Sequence, residues 1–174
     1  AAFTTDDLRG NLVHNIGGTG AYIQGIYHDY SGTIKNNIVY NTNYAIHLWH
    51  DDHDINVVNN TVFGNRWYGI VFGGCEEAYS SGCPNSGVNI QNNIVYDNYG
   101  GIAGPVAAKD TGSNSFQNNL VYGNSINLNL SSLSLGKITG TVSADPQFVN
   151  YIRAGGGDYR LKSTSPAIGM GASN

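Results

Sequence analysis

Eight consecutive residues, His47-Leu48-Trp49-His50-Asp51-Asp52-His53-Asp54, hold three imidazoles, three carboxylates and an indole. Imidazole is the side chain that titrates near neutrality, so His47 suits a general base. Its partner is Arg66, in the stretch Asn65-Arg66-Trp67-Tyr68-Gly69, whose guanidinium can clamp a carboxylate at two points. Tyr27 or His50 can supply a proton. Base, clamp and acid form the set that β-elimination beside a carboxylate requires: the base takes the α proton, the cation neutralises the developing charge, and the acid protonates the departing oxygen. Trp49, Trp67 and Tyr68 offer ring faces for a substrate, and Lys35 a further cation. The competing reading of residues 50–54 is a solvated turn, because side chains so close in sequence seldom converge on one ion.

Such residues need a scaffold, and the scaffold is a repeat. The five-residue units Gly10-Asn11-Leu12-Val13-His14, Asn36-Asn37-Ile38-Val39-Tyr40, Asn59-Asn60-Thr61-Val62-Phe63, Asn92-Asn93-Ile94-Val95-Tyr96 and Asn118-Asn119-Leu120-Val121-Tyr122 share one pattern: Asn, then Val two positions later, then a ring. A second short strand follows in the first four units at Gly25-Ile26, Ala45-Ile46, Gly69-Ile70 and Gly101-Ile102, and a third leads back to the Asn pair through Ile34, Val57, Ile90 and Phe116. Three short strands per unit, with Gly, Asn and Asp at the turns and no helical period, predict an all-β single-stranded parallel β-helix of about five coils.

The composition fits a solenoid. Charged residues make up 11% of the 174-residue chain while Gly reaches 24 and Asn 23. In a stack of like on like, a charge would sit on its own kind, whereas Asn tolerates left-handed backbone and its amide both donates and accepts. Asn36, Asn59, Asn92 and Asn118 are expected to form one such ladder. The net charge of −4, with four Lys and four Arg scattered singly, argues against nucleic acid as a partner. No apolar run is long enough to span a membrane.

Alternation in the second strand puts Ile26, Ile46, Ile70 and Ile102 inward, and Tyr27, His47, Val71 and Ala103 outward in one column. Asp29 and Trp49 follow on the same face, so Tyr27, Asp29, His47 and Trp49 form a solvent-facing patch with His50 and Asp51 at its rim. His28 points inward as a hydrogen-bonded core residue. Rings beside polar groups are what a sugar chain needs.

The interval from Asn60 to Asn93 is the longest between repeats. Its excess is expected to leave the solenoid after Gly73-Gly74 as a loop overhanging the His47 face. Cys75 and Cys83 lie in that excess, and a disulfide closing so short a loop stabilises it by about 2.5 kcal/mol on the chain-entropy estimate. An oxidising, extracellular compartment is expected; a zinc pair is the weaker alternative, lacking a second pair of ligands nearby.

On these repeats, and on the tail Ala144-Asp145-Pro146-Gln147-Phe148-Val149-Asn150 followed by Gly157 to Gly171, the chain resembles the right-handed parallel β-helix proteins of the pectate-lyase-like superfamily, among them many secreted bacterial repeat proteins. The resemblance implies one β-helix domain over 1–174, with coils at 10–143 and a closing segment at 144–174 placed after the last coil. It implies a secreted or cell-surface polysaccharide-active protein, foremost a lyase cleaving a uronate polymer. Lyases of that kind commonly use calcium, and Asp29, Asp51, Asp52 and Asp54 are the clustered carboxylates that would hold it. The hydrolase motifs NxD, GHG and RIK are absent. A carbohydrate-binding or adhesion module would use the same ring face without turnover. The chain is inside its first coil almost at once, which suggests a mature fragment, a trimmed domain, or a subunit stacking end to end into fibres through uncapped coils.

Overall fold

A computed structural model describes residues 6–20, 23–50, 52–74, 84–105 and 109–172. Its strands follow the coils. Coil 1 contains β1 (Asp6–Arg9), β2 (Leu12–His14) and β3 (Gln24–His28); coil 2, β4 (Gly32–Lys35), β5 (Ile38–Tyr40) and β6 (Tyr44–Trp49); coil 3, β7 (Ile55–Val58), β8 (Thr61–Phe63) and β9 (Tyr68–Gly74). After β10 (Pro84–Asn85), coil 4 contains β11 (Asn89–Gln91), β12 (Ile94–Tyr96) and β13 (Gly100–Gly104). After β14 (Lys109–Asp110), coil 5 contains β15 (Ser115–Gln117), β16 (Leu120–Tyr122) and β17 (Ile126–Leu130). A one-turn helix α1 (Ser132–Leu135), β18 (Ile138–Thr139) and a hairpin of β19 (Phe148–Asn150) and β20 (Asp158–Leu161) complete the chain.

Each strand pairs in parallel with its counterparts one coil before and after, giving three sheets. Sheet A runs β1-β4-β7-β11-β15-β18, sheet B β2-β5-β8-β12-β16 and sheet C β3-β6-β9-β13-β17. The expected registers hold: Val13, Val39, Val62, Val95 and Val121 stack, as do Ile26, Ile46, Ile70 and Ile102 and Ile34, Val57, Ile90 and Phe116. These columns fill the interior and form one apolar cluster. Sheets buried on their inner face by aliphatic columns need no charge there, which accounts for the composition.

The corner between sheets A and B is a two-residue step, and the two Asn of each pair divide the work. Asn36, Asn59, Asn92 and Asn118 take left-handed backbone with φ of 51° to 57°, an angle Asn accepts at lower cost than branched residues. The ladder expected of them belongs instead to the second Asn. Asn11, Asn37, Asn60 and Asn93 each donate both backbone N–H and Nδ2 to the Oδ1 of the next, ending on Asn119, at 2.9–3.0 Å. Left-handed backbone at the first position turns its side chain outward and the second inward, where its amide must be satisfied. A second ladder, Thr42, Asn65, Asn98 and Asn124, runs down the corner between sheets B and C. In coils 2 to 5 the two ladders are separated by the same interval, whereas the connection from sheet C back to sheet A ranges from three residues (29–31) to fourteen (75–88).

Two expectations need correction. His28 is buried as expected, but among the described residues neither ring nitrogen has a hydrogen-bond partner: its column neighbour is Leu48, which offers none. The closing segment follows the last coil as expected, and it folds back over the outer face of sheet B. Phe148, Tyr151 and Tyr159 pack on the outward ring column, with Tyr159 4.3 Å from Phe63 between centroids, so Tyr40 and Phe63 are buried although they point out of the coil. Tyr151 donates to Asp97 Oδ2 at 2.6 Å, and Met170 and Ala172 are held by Asn118 and Asn92. Second, Lys35 lies on sheet A between Arg9 and Val58, a different sheet from the one that carries His47.

Candidate functional site

The outer face of sheet C gathers most of the sequence-predicted residues. Two backbone columns build it. The first runs Gln24, Tyr44, Tyr68, Gly100 and Ile126, the second Tyr27, His47, Val71, Ala103 and Asn129. Gly25, Ala45, Gly69 and Gly101 lie between them in sequence and face the interior: a Cβ on Gly25 would collide with Val39 and one on Gly101 with Val121. The strand thus turns two successive residues inward, and Tyr44 and His47, three apart, share the outer side.

Rings converge around His47. Tyr44 stacks on it at 4.9 Å, Trp49 meets it edge-on at 4.8 Å and Tyr27 at 5.9 Å, while His50 lies 6.3 Å from Tyr27. Tyr44 continues the cluster into the next coil, nearly parallel to Trp67 at 6.1 Å and to Tyr68 at 6.4 Å. Glycines make room for these rings. Trp49 lies over Gly74 and Tyr68 over Gly100, each where a Cβ would collide with the ring. Tyr27 and Trp67 keep about two-fifths of their surface in solvent, at 42% and 40%.

His47 itself is not solvent-facing. Although it belongs to the outward column, only 3% of its surface is exposed, because Tyr44, Trp49 and Tyr27 close over it. Its Nδ1 is 3.1 Å from Gln24 Nε2, so the amide donates and Nδ1 accepts, while Nε2 is buried without a partner among the described residues. Burial, and then the neighbouring His50, push its pKa down to about 4. The imidazole is therefore neutral at pH 7 and a weak base.

Arg66 does not join it. It stands exposed at the corner before β9, where its N–H bonds Thr42, five residues ahead of His47, and it lines with Trp67 and Tyr99 a shallow groove of about 240 Å³. At about 3.3 Å per residue that is up to about 16 Å of backbone from the imidazole.

The acidic residues also disperse. Asp52 is fully buried and its Oδ2 accepts the N–H of Gly73 at 2.9 Å. That N–H is freed by a β-bulge: His47 pairs with Val71 but Trp49 with Gly74, leaving two residues of β9 opposite Leu48, and Gly73 takes φ of 73°. Asp52 thus supports the backbone. Asp54 is exposed beside His53 at 3.3 Å, and Asp29 is half-buried beyond the end of β3. Among the described residues no group of three His, Cys, Asp or Glu is placed to hold a metal ion. Asp51 lies outside the described residues, as do Cys75 and Cys83 and the loop that carries them. On either side of them, β9 ends at Gly74 and β10 begins at Pro84.

The same face holds a cleft of about 390 Å³ toward coils 4 and 5, with Tyr68 as wall, Ala103 and Gly104 as floor, and Pro105 and Asn129 at its margins. Asn129 Nδ2 donates to the Tyr68 hydroxyl at 3.4 Å. Sequence reading missed Gln24, Tyr44 and this cleft. The signal for Tyr44 was present in Tyr44-Ala45-Ile46 and Tyr68-Gly69-Ile70, where a Tyr precedes the small inward residue in successive coils.

Among the described residues no helix is long and apolar enough to cross a membrane. Compared with known protein families, the chain matches over residues 4–139 the family described as a right handed beta helix region. No curated protein and no solved structure matches it.

Proposed function

Because the chain belongs to the right-handed β-helix family, a fold of the pectate-lyase-like type in which side chains of one face align from coil to coil, we propose that it binds polysaccharide along the outer face of sheet C, outside the cell, and does so without turnover. The observation that carries this reading is the run of Tyr44, Trp67 and Tyr68, nearly parallel rings on neighbouring coils beside the Tyr68–Asn129 cleft. Pyranose faces stack on such rings while hydroxyls find the phenol and amide groups around them. Support for binding over β-elimination comes from His47: covered by three rings and neutral at pH 7, it lacks the access and basicity that proton abstraction demands. Among the described residues Asp52 is engaged by Gly73 and no group of three His, Cys, Asp or Glu is placed to hold a cation, and no step is routed through calcium.

The test is a binding screen of the purified chain on acidic and neutral polysaccharides, with absorbance of unsaturated product followed in parallel, with and without added calcium. Expected are retention on at least one polymer, a loss of about tenfold or more in Trp67→Ala and Tyr68→Ala, and no absorbance. Retention unchanged in both variants would remove the ring face as the site. Unsaturated product that vanishes in His47→Ala would restore the lyase reading.

A further inference from the structure

We infer that the glycan taken by sheet C is uncharged: a neutral polysaccharide rather than a uronate polymer, an inference that rests on the carbohydrate-binding reading and narrows its ligand. It follows from where the cations are. Of the eight Lys and Arg, Arg9 and Lys35 pair across sheet A, and Lys137 immediately precedes β18 of the same sheet. Arg153 and Arg160 are engaged by Asp97 and Asp158 in and around the closing hairpin, and Lys162 follows β20. Lys109 belongs to β14, which pairs with β10 and not with sheet C. Among the cations whose side chains are described, Arg66 alone touches the ring face, at the corner before β9, beyond Trp67 from the His47 cluster.

The groups that line the face are hydroxyl, amide, indole and neutral imidazole: Tyr27, Tyr44, Trp49 and Gln24 around His47, and Tyr68 with Asn129 at the cleft. Stacking a sugar on a ring strips water from it. A carboxylate on that sugar would lose hydration with no cation to replace it, a cost of several kcal/mol per buried unpaired charge. A uronate polymer repeats that charge at every unit, so a single Arg66 at one corner leaves the rest unmatched. The net charge of −4 adds long-range repulsion of a polyanion. Neutral pyranoses meet none of these penalties, and the small floor at Ala103 and Gly104 gives a second sugar room beside Tyr68.

Neutral glucan, mannan, xylan and galactan oligosaccharides and length-matched polygalacturonate and alginate oligosaccharides, titrated into the intact chain by calorimetry, decide the matter. At least one neutral series should bind, with affinity changing less than about twofold between roughly 0.05 M and 0.5 M salt, and the uronates should bind about tenfold or more weakly. Tyr68→Ala should lose that neutral binding, and Trp67→Ala, at an exposed ring that the fold does not need, provides the same readout should Tyr68→Ala fold poorly. Preferential uronate binding that weakens with salt and disappears in Arg66→Ala would overturn the inference while leaving sheet C as a carbohydrate face. Binding of neither class would overturn the inference together with the reading beneath it.

Discussion

A histidine covered by three rings, with one nitrogen accepting from Gln24 and the other enclosed without a partner among the described residues, makes stability depend on pH with a definite sign. The folded pKa of His47 is depressed to about 4 from the ordinary 6.5, so between these values the unfolded chain binds more protons, and stability rises with pH. Its contribution is complete above about 6.5 and is lost as pH falls toward 4, on the order of 3 kcal/mol in all. Thermal melts from pH 7.5 to 4.5 should show a declining Tm in the parent and a flatter profile in His47→Gln; equal slopes would show that some other group titrates. The sequence placed His47 in the correct column, because alternation along a strand is a backbone property. It could not show burial, which depends on Tyr44, a ring three residues upstream that shares the outer side only because Ala45 and Ile46 both turn inward.

Between neighbouring coils, the two Asn at the corner of sheets A and B behave differently enough to be separated by experiment. Asn60 receives two donors from Asn37 and donates to Ile34 and Asn93, all buried. Asn60→Ala leaves those groups unpaired and should cost about 3 kcal/mol in urea unfolding. Asn59→Gly, at φ of 57°, should stay within about 0.5 kcal/mol of the parent, since Gly takes that conformation freely. Comparable losses at both positions would contradict the assignment of the ladder. The repeat was legible as a column of Asn pairs, but which member points inward depends on the backbone sign at the first, which a pattern of identical letters does not carry. A second prediction concerns the ring face: Gly100→Ala places a methyl where the Tyr68 ring lies, so glycan affinity should fall about tenfold with near-unchanged circular dichroism. Unaltered affinity would mean that the position of Tyr68 is irrelevant to the ligand.

Across the whole molecule, the closing segment and the coils share one surface. The ring column of sheet B reads as structural from sequence, but its cover is more than fifty residues away in the chain and shows no periodicity that would tie it there; Phe63 touches Phe148, Tyr151 and Tyr159 only in three dimensions. Each large ring so buried contributes about 2 kcal/mol. Coils and segment are therefore expected to melt in one cooperative transition. Truncation after Ser143 should expose Tyr40 and Phe63, bind a hydrophobic dye and lower Tm; a truncated chain with unchanged Tm and no dye binding would make 144–174 an independent appendage. The constancy of the two Asn corners and the looseness of the third have a further consequence, for mutational tolerance. An added residue between Asn60 and Asn65 would put every later side chain of that coil out of register, whereas the connection from sheet C to sheet A has already absorbed segments of very different length without disturbing a column. That connection borders the ring face. New loops grafted there would alter what the face recognises while the solenoid beneath stays the same, leaving recognition and folding to vary independently.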